Sequence, residues 1–205
     1  VKIALVLSFL IPLLLSVPFP FAPIQIILLE LFMDLAASAT FVAEPIEPDA
    51  MRRSSASRQQ RLINRTTLTN ISWGAISLAT AVLASYLYAW YLGWGTVASQ
   101  TTAFATWLVG HIFLAFTMRS QRESLIKIGI LSNRVMLIWA GATIAFLFII
   151  TSLPATQAAL KVAPLTTRGW LMAIGIPLLT IFWFELRKAF LRRVSHTRNG
   201  GRPDK

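Results

Sequence analysis

The sequence predicts an all-α fold, a polytopic membrane helical bundle with about six transmembrane helices. Three observations carry that expectation. The first is composition: 56% of the 205 residues are hydrophobic, only 13% are charged, and the mean hydropathy is +0.65. A soluble domain carries about 25% charged residues. The second is a series of six apolar runs near the length of about 20 residues that a spanning helix needs. The third is where the basic residues fall. They cluster in every second connection, as the positive-inside rule expects of a multi-span protein.

The first run, Lys2–Val17, is short, and Pro12 inside it should kink it. Val1 opens the chain without Met, and the run begins at once, so the chain reads as a fragment lacking its N-terminal part. The competing reading is a signal peptide with Lys2 as its basic region and Ile3 to Ser16 as its core. A clean small-residue cleavage site is missing, and the next run follows too soon. "SVPFPFAPIQ" joins the first two runs. Its prolines at 18, 20 and 23 force a tight turn without continuing the helix.

The second run is Ile24–Ala43, and the loop Glu44–Asn70 follows with Arg52, Arg53, Arg58, Arg61 and Arg65. The third run, Ile71–Leu92, turns through "GWGTVASQ" into a short fourth, Thr102–Met118. The loop Arg119–Arg134 adds Arg119, Arg122, Lys127 and Arg134. The fifth run, Val135–Leu153, is joined by Pro154–Thr167 to the sixth, Gly169–Leu186. Two units result: a transmembrane domain, 1–188, and a basic tail, 189–205, expected to be disordered. Trp73, Trp90, Trp94, Trp170 and Trp183 lie near run ends, where indoles anchor at the membrane interface.

Six spans place both Arg-rich loops and the tail on one side, expected to be cytoplasmic. The opposite connections hold only Lys161 and Arg168. The net charge of +11 is therefore an orientation signal toward a lipid bilayer, not a nucleic-acid surface. The expected location is integral to a membrane, the bacterial plasma membrane.

Chemistry concentrates in the second run. Of eight acidic residues, only Glu30 and Asp34 lie deep in an apolar run. Four apart, they share one face of a helix. Two carboxylates in hydrocarbon cost several kcal/mol and repel each other unless a cation, a proton or a cavity relieves them. The pair is a candidate cation site, with a protonated, hydrogen-bonded Glu30 as the bland alternative. Lys2, by helix rise, falls within side-chain reach of Asp34's depth. It is either a built-in counter-ion for Asp34 or a snorkelling residue. His111, mid-run in "TWLVGHIFLAFTMRS", is either a packing residue or a third ligand or proton carrier. Ser38, Thr40 and Thr143 read as interhelical packing. There is no cysteine, no Gly-rich phosphate loop, no G-x-S-x-G elbow and no His–Glu metal motif.

The stretch "PIQIILLELFMDLAASATFVAEPIEPDAMRR" resembles the sixth transmembrane helix and following loop of P-type cation-transporting ATPases, calcium pumps in particular. Pro23, Ile24 and Gln25 match the family's Pro-Ile/Val-Gln opening, and Asp34 its ion-binding Asp. Glu44, Pro45, Glu47, Asp49, Met51 and Arg53 match the loop. "SQTTAFATWLVGHIFLAFTMRS", "SNRVMLIWAG" and "PLTTRGWLMAIGIPLLTIFWFELRK" resemble the eighth helix, the start of the ninth, and the tenth.

The resemblance implies the fifth to tenth helices, the C-terminal transmembrane domain, with the ion held by a mid-membrane Asp and its neighbours. Against the sarcoplasmic-reticulum calcium pumps, Glu30 replaces an Asn and Met33 a Thr. His111 falls near an acid, Leu5 falls at the fifth-helix acid, and Lys2 falls at a polar ligand. Ser54 and Ser55 replace the usual prolines. These departures leave the cargo open between calcium, the family's common cargo, and a proton or manganese. The Asp-Lys-Thr-Gly phosphorylation motif is absent, so this chain alone is not catalytic. ATP and Mg2+ are expected only for the complete pump, with the missing N-terminal helices and cytoplasmic ATPase domains as partners. Phosphorylation there would shift these helices in alternating access. The competing class is a non-pumping six-helix module, either a truncated remnant or a small carrier or scaffold.

Overall fold

The computed structural model of the chain describes residues 1–32, 38–42, 65–119, 132–181 and 183. Helices run in the order α1 (Lys2–Leu14), α2 (Pro23–Glu30), α3 (Ser38–Val42), α4 (Arg65–Tyr91), α5 (Thr96–Met118), α6 (Arg134–Ser152) and α7 (Pro154–Leu160), followed by α8 (residues 167–181). No strand occurs among the described residues. The chain is an all-α membrane bundle. Within the described residues, α4 from Thr67, α5 and α6 are long and apolar enough to cross a membrane, while α1 and α8 are shorter apolar helices.

The centre of the bundle is α5. Almost every residue from Thr101 to Ile112 is buried. Its polar members carry their own solution: Thr101, Thr102, Thr106 and Thr117 each donate to the carbonyl four residues back. A hydroxyl satisfied within its own helix can sit in an apolar interior at little cost. The most extensive helix contact is α4 on α5. Buried Ala75, Ala79, Ala81 and Ala89 on α4 let the backbones approach, as small residues do in membrane bundles. Gly110 completes the fit: a Cβ there would lie 2.8 Å from Leu78 Cδ1 and 3.4 Å from Pro177 Cβ. Against α4, α1 packs with Ala4, Ser8 and Pro12 buried, one residue per turn on a single face.

Four sequence expectations change. α1 ends at Leu14, two residues beyond Pro12, so the proline sits in the final turn and does not kink a helix running to Val17. The third run starts at Arg65, not Ile71, because Thr67–Asn70, though polar, continue the helix. The fourth starts at Thr96, not Thr102, for the same reason, and so reaches 23 residues. Gly93 and Gly95, at φ of 75° and 80°, make the turn before it, in a region open to glycine. The connection after the fifth run contains the extra helix α7, started by Pro154 in its first turn and ended by Lys161 in a left-handed conformation. The tail 189–205 and most of both Arg-rich loops lie outside the described residues.

Both ends of the bundle are defined by contacts. At one end Arg119, just past α5, donates through Nη2 to Ser132 Oγ, just before α6. Asn133 caps α6 by accepting from Met136 N at 2.9 Å and donates to Thr40 O of α3 at 2.9 Å. At the other end the α1–α2 turn is fastened twice: Tyr86 of α4 donates to the Pro18 carbonyl, and Gln100 of α5 donates to Phe19 O at 2.8 Å. Ala163, between α7 and α8, donates to Thr101 Oγ1 at 2.8 Å.

Candidate functional site

The site is built on α2. Pro23 opens that helix, where a missing N–H costs nothing. Gln25, fully buried, accepts from Ala22 N at 3.1 Å and donates to Lys161 O at 3.0 Å. This one side chain caps α2 and ties it to the α7–α8 connection. The sequence marked Gln25 only as part of an opening motif; a lone polar residue inside an apolar run was the signal for its structural role.

α2 ends at Glu30, and Leu31 and Phe32 form a π-type turn. Such wide turns in helices recur at functional sites, because they interrupt regular backbone pairing. Phe32 packs against Phe146 of α6, with ring centroids 4.8 Å apart. The interruption falls directly between Glu30 and Asp34. Asp34 itself lies outside the described residues.

Lys2 Nζ is paired with Glu30 Oε2. The sequence offered Lys2 as a counter-ion for Asp34, which lies outside the described residues, or as a snorkelling residue. The pair is the salt bridge found among the described residues, and it is part-exposed, with side-chain exposures of 58% for Lys2 and 34% for Glu30.

His111 is buried on α5, and its ring meets Trp139 of α6 edge-on, 5.7 Å between centroids at 74°. It adjoins a small cluster of Ile112, Ala115, Met136 and Trp139. The structure thus joins Lys2 to Glu30 and His111 to Trp139. No group of three or more metal-ligating side chains occurs among the described residues. Thr143, as expected of a packing residue, is buried and bonds within α6 to Trp139 O at 2.8 Å.

Residues 18–190 match the family model described as cation transporting ATPase, C-terminus. Individual relatives agree. Calcium-transporting ATPase 1 of Yarrowia lipolytica is 22% identical over 173 residues, covering 84% of this chain and 19% of the relative. The probable cation-transporting ATPase F of Mycobacterium tuberculosis is 26% identical over 165 residues, 78% of this chain and 18% of the relative. Calcium-transporting ATPase type 2C member 2 of mouse is 22% identical over 188 residues, 89% of this chain and 20% of the relative. The chain spans about a fifth of the length of these relatives.

Proposed function

Because the chain belongs to the family of cation-transporting ATPase C-terminal transmembrane domains, we propose that it is the ion-binding transport domain of an ATP-driven cation pump. Asp34 and Glu30 form the cation site, Lys2 is the built-in counter-charge, and His111 is a candidate ligand or proton carrier. Calcium is the favoured cargo, with a proton or manganese as alternatives. ATP and Mg2+ act elsewhere in the complete pump, and the Glu44–Asn70 loop faces those cytoplasmic domains.

One observation carries this reading: the part-exposed Lys2–Glu30 pair inside apolar helices. Charged groups facing lipid are costly, so intramembrane ion pairs face a partner or a water-filled path. A pair left 58% and 34% exposed calls for further helices to cover it and complete a polar site. This match covers only 19% of the Yarrowia lipolytica relative, and the rest of the complete pump would supply such helices. The pair also sets the charge of the site. A resident ammonium cancels one of the two carboxylates, so less positive charge must bind than two free acids would demand. The π-type turn beside Glu30 supports a role in movement, because it is a place where the two parts of the second run can shift against each other.

The test is Asp34→Asn in the complete pump. The amide keeps size and hydrogen bonding and removes the charge. The expected result is a pump that inserts and folds but loses ion-dependent phosphorylation by ATP. Glu30→Gln, one turn nearer the Pro23 end, should be milder. Phosphoenzyme formation against ion concentration in purified membranes reads both. Unchanged apparent ion affinity and transport in Asp34→Asn would remove Asp34 from the site.

A further inference from the structure

A cleft of about 500 Å³ opens at the end of the bundle away from Arg119 and Arg134. It lies between the start of α5 (Trp94, Ala98, Thr102) and the segment leading into α8 (Pro164–Arg168). We propose that this cleft seats the phosphodiester headgroup of an anionic glycerophospholipid, with the acyl chains running down α8.

Charge argues for an anion. Arg168 lines the cleft and is the basic residue of that lining. None of the chain's eight acidic residues lies in the segments at this end. Arg168 offers five N–H donors in a planar fork suited to phosphate. Thr166 accepts from Gly169 N at 3.2 Å, which leaves its own O–H proton to donate, and the exposed Thr167 hydroxyl lies beside it. A mainly apolar lining with the Arg168, Thr166 and Thr167 donors at its rim and no carboxylate fits an acceptor-only group at the head of an amphiphile.

Shape argues for a lipid in place of a free anion. Trp94 beside the cleft and Trp170 just below it mark the depth of a membrane interface. Below Arg168 on α8, Leu171, Ile174 and Leu178 are 68%, 43% and 51% exposed, at spacings that make one stripe. Gly169, Ala173 and Pro177 occupy the opposite, buried side. A cationic head above a continuous lipid-facing stripe matches an amphiphile with a phosphate at one end and hydrocarbon at the other. The cleft is also held in shape. The Ala163–Thr101 and Gln25–Lys161 bonds fix its α7–α8 wall.

The test is lipid retention by the purified, delipidated full chain in neutral detergent, read by native mass spectrometry. Phosphatidylglycerol should be retained about fivefold over phosphatidylcholine, the factor expected for one basic residue near an anionic surface. Arg168→Gln should abolish the preference and Arg168→Lys should keep it. Lys161→Asn, which suits the left-handed backbone and removes a charge outside the cleft lining, should leave the preference intact. Leu165→Trp fills the cleft without changing charge. It should lower retention, and it serves as the deciding variant if Arg168→Gln loses its helical circular dichroism. Equal retention of the two lipids, equal loss in Arg168→Gln and Lys161→Asn, or full retention in Leu165→Trp would each overturn the proposal. Displacement of phosphatidylglycerol by millimolar inorganic phosphate would also overturn it, in favour of a free-anion site.

Discussion

Glu30 and Lys2 show how one side chain changes the meaning of another. Alone, a carboxylate on α2 asks for a cation; paired, it is already served. Lys2→Ala should therefore do more than remove a charge. It leaves Glu30 to take a proton or a second cation, so the complete pump should change in ion stoichiometry, selectivity or pH dependence. Glu30→Gln in the same background should reverse part of that change, because no orphaned carboxylate remains. A double-mutant cycle on apparent ion affinity should give a coupling of about 0.5–3 kcal/mol. Strict additivity would mean that Lys2 snorkels and that the pair has no part in binding.

At the scale of helices, close approach of α4, α5 and α8 depends on the missing side chain at Gly110. Gly110→Ala should be nearly neutral. The atom 2.8 Å from a new Cβ is the end of the flexible Leu78 side chain, and the helix gains from losing a glycine. Gly110→Val adds branches that Leu78 and Pro177 cannot both avoid, and should lower stability by about 1–3 kcal/mol in denaturant titration of the detergent-solubilised chain. A Val variant as stable as wild type would show the helices to be more loosely packed. Helices were legible where apolar length defined them, as in α6. They were not legible where polar residues extend a helix, as at Thr96–Gln100, because helix continuation needs only backbone pairing and a place for the hydroxyls. The helix α7 was hidden by its opening proline, which marks a boundary and a helix start equally well. The acidic pair and Lys2 stood out by charge alone. The pairing of Lys2 with Glu30 did not, because it depends on how two helices 28 residues apart in sequence are set side by side. Gln25's tie to Lys161 spans 136 residues, and no local pattern announces such a contact.

For the whole molecule, the bundle's two ends differ in charge. Arg65, Arg119 and Arg134 begin or end helices at one end, which the Arg119–Ser132 and Asn133–Thr40 bonds hold together. Lys161 and Arg168 lie at the other, beside the α1–α2 turn. Sixteen of the nineteen basic residues fall in the two Arg-rich connections and the stretch from Arg187 to Lys205. Moving so many cations across a bilayer is far costlier than moving two, so the Arg-rich end should remain cytoplasmic. The natural chain has no cysteine, which makes the test direct. Single cysteines at 58, 161 and 193 are exposed in turn to a membrane-impermeant thiol reagent in intact cells. Position 161 should label from outside, and 58 and 193 only after the membrane is opened. Labelling at 58 but not at 161 in intact cells would invert the orientation. It would also move the Arg168 cleft to the inner leaflet and turn the Glu44–Asn70 loop away from any cytoplasmic ATPase domain.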